Sequence, residues 1–360
     1  MKKKLVCYMV MAALAFSLLV GCSSQVVEEK PQEAVTLSSY SGTKVGVCIY
    51  QISDNFMTLF NNELVNYLVS KGFSKNNIIV YGSANSESIQ LSQVEKLIDE
   101  GVDALIINPV NSSVARAITD KAVSNGIPLV YINREPSGEE ELRWENYGFD
   151  VTYVGCDARQ SGIYQGELVL DLGLDELDKN GDGVIQYFMI EGAPENVDAG
   201  YRTMYSVSTI KNAGVEMECL LDEVGNWDRA TSKLLVREGL SQGLIPELVI
   251  CNNDAMALGA VDAIKSGKLV PGKDIYVVGV DALPETIAAI EDGDIAGTVF
   301  NDYILQSHRA ADAVMNYLQG NGNEHYVGCD YKKVSAKNAQ VIKKMIQNSN
   351  NEKKDQGQEN

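Results

Sequence analysis

Histidine is nearly absent: the 360 residues include only His308 and His325, and neither sits in a motif. No GxSxG nucleophile turn and no Gly-rich phosphate loop occurs, so the usual signatures of acyl and phosphoryl transfer are missing. Clustered basic residues are also lacking. The formal net charge is −19, which argues against nucleic acid as a partner, because phosphate binding needs grouped Lys and Arg. No CxxC pair occurs, so a thiolate metal site is not expected. Beyond Cys7 and Cys22, the chain has Cys48, Cys156, Cys219, Cys251 and Cys329. Their number is odd and their spacing irregular. They read as small buried hydrophobes in preference to a disulfide framework. Tryptophan is limited to Trp144 and Trp227.

Long apolar runs are missing as well, with one exception. Lys2, Lys3 and Lys4 precede an uncharged apolar stretch from Leu5 to Val20. A polar segment follows directly, so residues 1–21 read as a signal peptide; an uncleaved anchor is the alternative. The ending Leu19-Val20-Gly21-Cys22 resembles the bacterial lipobox, which implies lipidation of Cys22 and an anchor on the extracytoplasmic face of the cell membrane. Residues 22–42 read as a lipidated, flexible tether. Residues 348–360 are polar and low in complexity and read as a disordered tail.

What the rest of the chain holds is a strict alternation of short apolar runs and longer helical patterns. Strands are predicted at 44–50, 78–81, 104–108, 128–133, 152–156, 185–191, 215–221, 248–252, 275–280 and 296–300. Helices are predicted at 56–71, 86–100, 112–125, 161–172, 201–212, 227–241, 255–266, 284–291 and 302–318. Continuous apolar strands joined by helices predict doubly wound parallel sheets with both faces covered. Ten strands exceed one comfortable sheet, so two similar lobes are expected.

Functional groups in such sheets gather at the carboxyl ends of the strands. Those ends carry Asp54, Asn55 and Phe56; Asn108; Asn133, Arg134 and Glu135; Asn196 to Arg202; Asn226 and Trp227; Asn253 and Asp254; Asp281; and Asn301. Any one of them could be an ordinary turn or cap residue. Together they suit a polyol, whose hydroxyls both donate and accept, and whose flat faces stack on aromatic rings.

At this point the motifs ISDNFM (52–57), ALIINPV (104–110), NREPS (133–137), YVGCDARQSG (153–162), NVDAGYR (196–202), ICNNDAMALGAV (250–261), VVGVDALPE (277–285) and GTVFND (297–302) resemble the galactose/glucose-binding proteins of bacterial ABC transport and chemotaxis. The likeness runs from about Lys44 to Asp302 and more weakly to Gln347. It implies the type I periplasmic-binding-protein fold: two α/β lobes joined by a three-strand hinge, with a monosaccharide, galactose or glucose, held in the cleft. By the same resemblance, Phe56 and Trp227 would sandwich the sugar ring. Asp54, Asn108, Asp198, Arg202, Asn253, Asp281 and Asn301 would bond its hydroxyls. Asn196 stands where the family's well-known members carry His, which leaves the hexose preference open. The crossovers would fall near 126–129, 297–300 and 330–334. That places residues 43–127 and 300–331 in one lobe, and 128–299 and 332–347 in the other.

The run Asp178-Lys179-Asn180-Gly181-Asp182-Gly183-Val184-Ile185-Gln186 has EF-hand chemistry. Oxygen side chains occupy loop positions 1, 3, 5 and 9, Gly183 takes the turn position, and Val184 offers a carbonyl. Position 12 is Met189, so a remote carboxylate must complete the shell, and the resemblance supplies Glu247. One structural calcium ion is expected.

Three functions compete. Asp54 and Asp281 could act as a glycosidase pair, but polyol recognition needs them equally, so catalysis is not expected. A sugar-responsive repressor would need an N-terminal helix-turn-helix, where this chain has a signal-like segment. A binding protein remains, expected as a monomer that delivers to an ABC permease or presents its ligand to a membrane receptor.

Overall fold

The computed structural model describes residues 40–356; the signal-like segment, Cys7, Cys22 and most of the expected tether lie outside them. The first sheet is built from β1 (Val45–Ile49), β2 (Ile78–Gly82), β3 (Ala104–Ile107), β4 (Leu129–Ile132), β5 (Val151–Cys156) and β11 (Tyr326–Cys329), in the order β11-β5-β4-β3-β1-β2. All its pairings are parallel. The second contains β6 (Val184–Glu191), β7 (Glu216–Val224), β8 (Leu248–Cys251), β9 (Tyr276–Val278), β10 (Gly297–Phe300) and β12 (Lys332–Ser335), in the order β12-β10-β9-β8-β6-β7. Here only β12 runs antiparallel, against β10.

The central strands are apolar because helices cover both faces. Every residue of β3, β4 and β8 is buried. The covering helices of the first lobe are α1 (Asn55–Ser70), α2 (Glu87–Asp99), α3 (Ala115–Ser124) and α4 (Gly138–Tyr147). The second lobe begins with α5 (Ala158–Leu170) and the single turn α6 (Leu174–Leu177). It continues with α7 (Val197–Asn212), α8 (Arg229–Ser241), α9 (Asp254–Ser266) and α10 (Pro284–Glu291). Next comes α11 (Tyr303–Leu318), which returns to pack on α1, β3, β4 and β5. The last helix, α12 (Ala339–Gln356), touches α10 and β12.

Three segments cross between the lobes, at Cys156–Ala158, Phe300–Tyr303 and Cys329–Lys332. The first departs from expectation. Residues 128–156 belong to the first lobe, because β4 pairs with β3 and β5 pairs with β4. An apolar run announces a buried strand, but the run itself does not say which of two similar sheets receives it. Phe300 ends β10 and so belongs to the second sheet. Two further corrections concern the ends. The chain is helical through Gln356, where a disordered tail was expected from 348; Ile342 and Ile346 anchor that helix in the core. Tyr40 is not part of a free tether: its ring stacks on Phe73 at 4.5 Å, and its hydroxyl accepts from Gln319 at 2.6 Å.

Candidate ligand-binding cleft

Between the lobes lies a space of about 350 Å³ that is partly open to solvent. It is lined by Tyr50, Asp54, Phe56, Met57, Asn133 and Arg134 from the first lobe, and by Asn196, Asp198, Arg202, Trp227, Asn253, Asp281 and Asn301 from the second lobe and its crossing. The lobes are closed over it. At the rim, Asn85 of the first lobe donates to Glu195 of the second at 3.5 Å.

The same residues that start the helices line the cavity, because strand ends and helix N-termini coincide in this fold. Asp54 caps α1 by accepting from the Met57 N–H at 2.8 Å. Asn196 caps α7 through the Asp198 N–H at 3.1 Å, and Asn253 caps α9 through the Met256 N–H at 3.0 Å. Each cap keeps further lone pairs or N–H groups for a ligand.

Two stretches of backbone are held in left-handed conformations that bulky residues avoid. Asn226 and Trp227 have φ of 52° and 65°; Asp281 and Ala282 have φ of 126° and 55°. The second turn is braced by Asp254, which accepts from the Leu283 N–H at 2.8 Å and the Thr298 hydroxyl at 2.6 Å. Asn301 donates to Asp281 at 3.3 Å, and Gln306 donates to Asn301 at 2.7 Å. The Trp227 indole lies over Gly192, where a Cβ would come within 2.1 Å of the ring. Glycine is therefore required at that point for the indole to lie where it does.

Charge is concentrated and under-compensated. Arg202 donates to the Asn252 carbonyl at 2.8 Å and to the Tyr331 hydroxyl at 3.3 Å, with Asp198 at 3.8 Å. Its Nε and the Trp227 Nε1 are buried without partners. Burial pushes the Asp281 carboxyl well above its usual range despite Arg202. Burial also raises Asp198 despite Arg202 and Arg134. A ligand offering several hydroxyl donors and acceptors would satisfy both the carboxylates and the unpartnered N–H groups.

Nine of the ten expected ligand-contacting residues line this cavity; Asn108 does not. It is fully buried behind the wall, donating to the Ile132 carbonyl at 3.1 Å and the Asn133 side chain at 3.2 Å, and accepting from the Tyr50 N–H at 3.3 Å. Its amide is spent on tying β1 to β4. Tyr50 and Met57 also line the wall and were not singled out in the sequence, while Asn133 and Arg134 line it as strand-end residues outside the expected sugar-contacting set. Arg134 lies 3.5 Å from the Tyr50 ring centroid and also donates to the Val110 carbonyl.

Away from the cleft, the Asp178–Gln186 loop folds onto Glu247, which is buried ahead of β8. The Glu247 carboxylate accepts from the N–H groups of Lys179 at 2.5 Å, Asn180 at 3.2 Å and Gln186 at 3.2 Å. Asp178 accepts from the Gly181 and Gly183 N–H groups at 2.7 and 2.9 Å, and Asp182 from the Val184 N–H at 2.9 Å. Among the described residues no cluster of three or more His, Cys, Asp or Glu is gathered to hold a metal. The loop's oxygens are engaged by its own backbone N–H groups and by the Asn180 and Gln186 amides.

With this geometry in view, the comparisons are direct. Residues 45–322 match the family described as periplasmic binding protein domain. The chain belongs to that family. The D-galactose/methyl-galactoside binding periplasmic protein of Haemophilus influenzae is 35% identical over 315 residues, 86% of this chain and 88% of that protein. The ribose import binding protein of Bacillus subtilis is 31% identical over 318 residues, 86% and 92% of the two chains. Among solved structures, an ABC transporter solute-binding protein of Bacillus halodurans with bound myo-inositol superposes with a TM-score of 0.72. It shares 26% identity and covers 84% of this chain and 98% of its own. The family consists of solute-binding transport proteins, not enzymes, and the two parallel-sheet lobes are its type I fold.

Proposed function

We propose that this chain captures a monosaccharide in the interlobe cleft, galactose or glucose in preference to pentoses, and delivers it to an ABC permease. The observation that carries the reading is the cavity wall. Carboxylates, amides and Arg202 line a small polar space together with Phe56 and Trp227, and two buried N–H groups there await acceptors. Groups from both lobes meet the ligand, so the closed state gains contacts that the open state lacks, and only such a difference can drive closure. The Haemophilus relative is named for galactose, and others are named for ribose. Asn196 is the residue on which the choice turns: it is shorter than the His that the resemblance leads one to expect.

A calorimetric panel of hexoses, pentoses and inositol tests this. Binding of glucose or galactose at micromolar affinity or better, about −8 kcal/mol, with ribose and xylose at least about tenfold weaker, is the expected result. Tight ribose or inositol binding with neither hexose bound would replace the ligand and leave the fold and family untouched.

Two further parts of the proposal lie outside the cleft. The oxygen set of Asp178, Asn180, Asp182, Gln186, Glu247 and the Val184 carbonyl suits a hard cation such as calcium. The close approach of buried Glu247 to the loop favours it, because that carboxylate supplies what Met189 lacks at position 12. Such an ion would tie the loop to the strand edge at β8 and stabilise the second lobe. Lipidation at Cys22 would hold the protein at the extracytoplasmic face of the membrane. A Cys22→Ala chain that retains fatty-acid label equal to wild type would remove that part of the reading.

A further inference from the structure

Cys156 and Cys329 end two neighbouring strands. β5 and β11 run parallel, and Cys156 pairs directly with Cys329 in the register. The side chains of such partners meet on one face, as the next tyrosine pair back shows: Tyr153 and Tyr326, also register partners, have ring centroids 5.3 Å apart. Neighbouring strands stand about 4.8 Å apart. That lies within the roughly 4.4–6.8 Å of Cα separation that a disulfide spans. Both thiols are buried and free, packed in one core cluster with Val154, Leu168 and Tyr331.

Their place in the hinge gives the pair its interest. Cys156 is the last residue of β5 before the chain enters the second lobe at Ala158, and Cys329 is the last residue of β11 before it enters β12. Past the crossing, Gln160 already ties the two segments, donating to Asp330 at 3.3 Å and accepting from the Tyr331 N–H at 2.8 Å. We propose that Cys156 and Cys329 are a dithiol that converts to a disulfide across the hinge, linking two of the three interlobe segments one step before they cross.

The chemistry balances with a small-molecule disulfide such as oxidised glutathione. The Cys329 thiolate attacks one sulfur of that disulfide; its S–S bond breaks, and one glutathione leaves as the thiol after taking a proton. Cys156 then loses its proton and attacks the Cys329 sulfur, which releases the second glutathione and forms the protein disulfide. Two electrons and two protons pass from the cysteines to glutathione. Burial lifts Cys329 to about 11 and Cys156 well above its ordinary value, so both are thiols at neutral pH and react slowly while the hinge stays packed. The Cβ atoms of parallel partners must lean together to bond, so the link is one that small thiols reverse. A closed link restricts independent twisting of the two segments, which hinge opening requires. This consequence for the cleft rests on the sugar-binding reading above.

The test uses the full chain carrying Cys219→Ser, which removes the one exposed thiol among the described residues. It is equilibrated with oxidised or reduced glutathione, quenched in acid, denatured and labelled with a maleimide. The expected result is two fewer labels after oxidation, and a cross-link between the tryptic peptides 144–159 and 310–332. Dithiothreitol should reverse it, and it should be absent in both Cys329→Ser and Cys156→Ala. Sugar association, followed by tryptophan fluorescence, should be at least about threefold slower in the oxidised form, since hinge motion gates entry. Full labelling of both cysteines after oxidation, or linkage through Cys48 or Cys251 instead, would overturn the pair. Linkage with unchanged sugar kinetics would overturn its action on the hinge. Absence of sugar binding in the reduced protein would count against the ligand assignment alone.

Discussion

The Tyr50 hydroxyl donates to one oxygen of Asp54 at 2.8 Å, while the other oxygen accepts the Met57 N–H at 2.8 Å. Asp54 is therefore fixed from two sides before any ligand arrives. A carboxylate held this way presents its remaining lone pairs in one direction and loses little freedom on binding. Tyr50 is itself pinned beneath the Arg134 guanidinium. Tyr50→Phe should keep the ring and its stacking but free the carboxylate. The expected loss is about 0.5–1.5 kcal/mol of sugar affinity, roughly two- to tenfold. Calorimetry on the variant, with its melting temperature as a check on folding, decides the matter. Unchanged affinity would mean that Asp54 does not need this support.

Trp227 depends on Gly192 for its position. Trp227→Ala should cost roughly 1–3 kcal/mol of affinity through lost stacking and apolar contact. Gly192→Ala tests the placement without touching the indole, because a Cβ there collides with the ring. Affinity should fall by at least as much as in Tyr50→Phe, and the Trp fluorescence response to sugar should change in size. Wild-type binding in Gly192→Ala would show that the indole can move aside at no cost.

The ten strands that sequence patterning announces are all present: most are apolar runs bounded by polar turns, and the edge strand β7 shows as Val215 and Met217 alternating with Glu216 and Glu218. The two it missed, β11 and β12, are edge strands. Their sequences YVGC and KKVS are short, and only Cys329 and Val334 in them are buried, so they carry no long apolar run to read. Helix α4 was missed for a similar reason: GEEELRWENY is mostly charged, and it is held by Trp144 and the buried Glu140, whose carboxylate accepts from the Trp144 indole at 2.8 Å. In the site, strand-end position was a good guide, and side-chain direction was not. Asn108 and Asn133 both follow first-lobe strands, yet Asn108 faces inward to bond backbone and Asn133 lines the cavity. Tyr50 was overlooked because it reads as the last residue of an apolar run.

The calcium proposal gives a stability prediction. A ligand that binds only the folded state at 100 times its dissociation constant adds about 2.7 kcal/mol. Adding a chelator to protein equilibrated with calcium should therefore lower the melting temperature by several degrees. Asp182→Ala should melt near the chelated value and show no further drop. The Asp182 carboxyl is exposed and accepts from the Val184 N–H and the Gln186 amide, so the substitution also loosens the loop itself. Glu247→Gln, which keeps the shape of the buried acceptor, separates the two effects. A chelator that leaves wild-type melting unchanged, with no metal in the purified protein, would remove the ion.

Protonation gives the last prediction. Burial lifts Asp254 from 3.8 to about 6, against hydrogen bonds from Thr298 and the Leu283 N–H. Burial with neighbouring Asp198 and Asp157 lifts Glu135 from 4.5 to about 7, and burial beside Glu135 lifts Glu141 to about 7. An acid whose folded pKa exceeds its unfolded value holds its proton more tightly when folded. Its contribution to stability is complete below the unfolded value and disappears as pH rises through the folded one. For Asp254 the window runs from 3.8 to about 6, and for the two glutamates from 4.5 to about 7. Sugar-free protein in chelator should therefore melt higher at pH of about 5.5 than at about 7.5. Asp254→Asn should flatten the lower part of that rise, and Glu135→Gln the upper part. A scanning calorimetry series with melting temperature falling steadily over the same acidification would show that these carboxyls do not hold their protons more tightly in the folded chain than in the unfolded one.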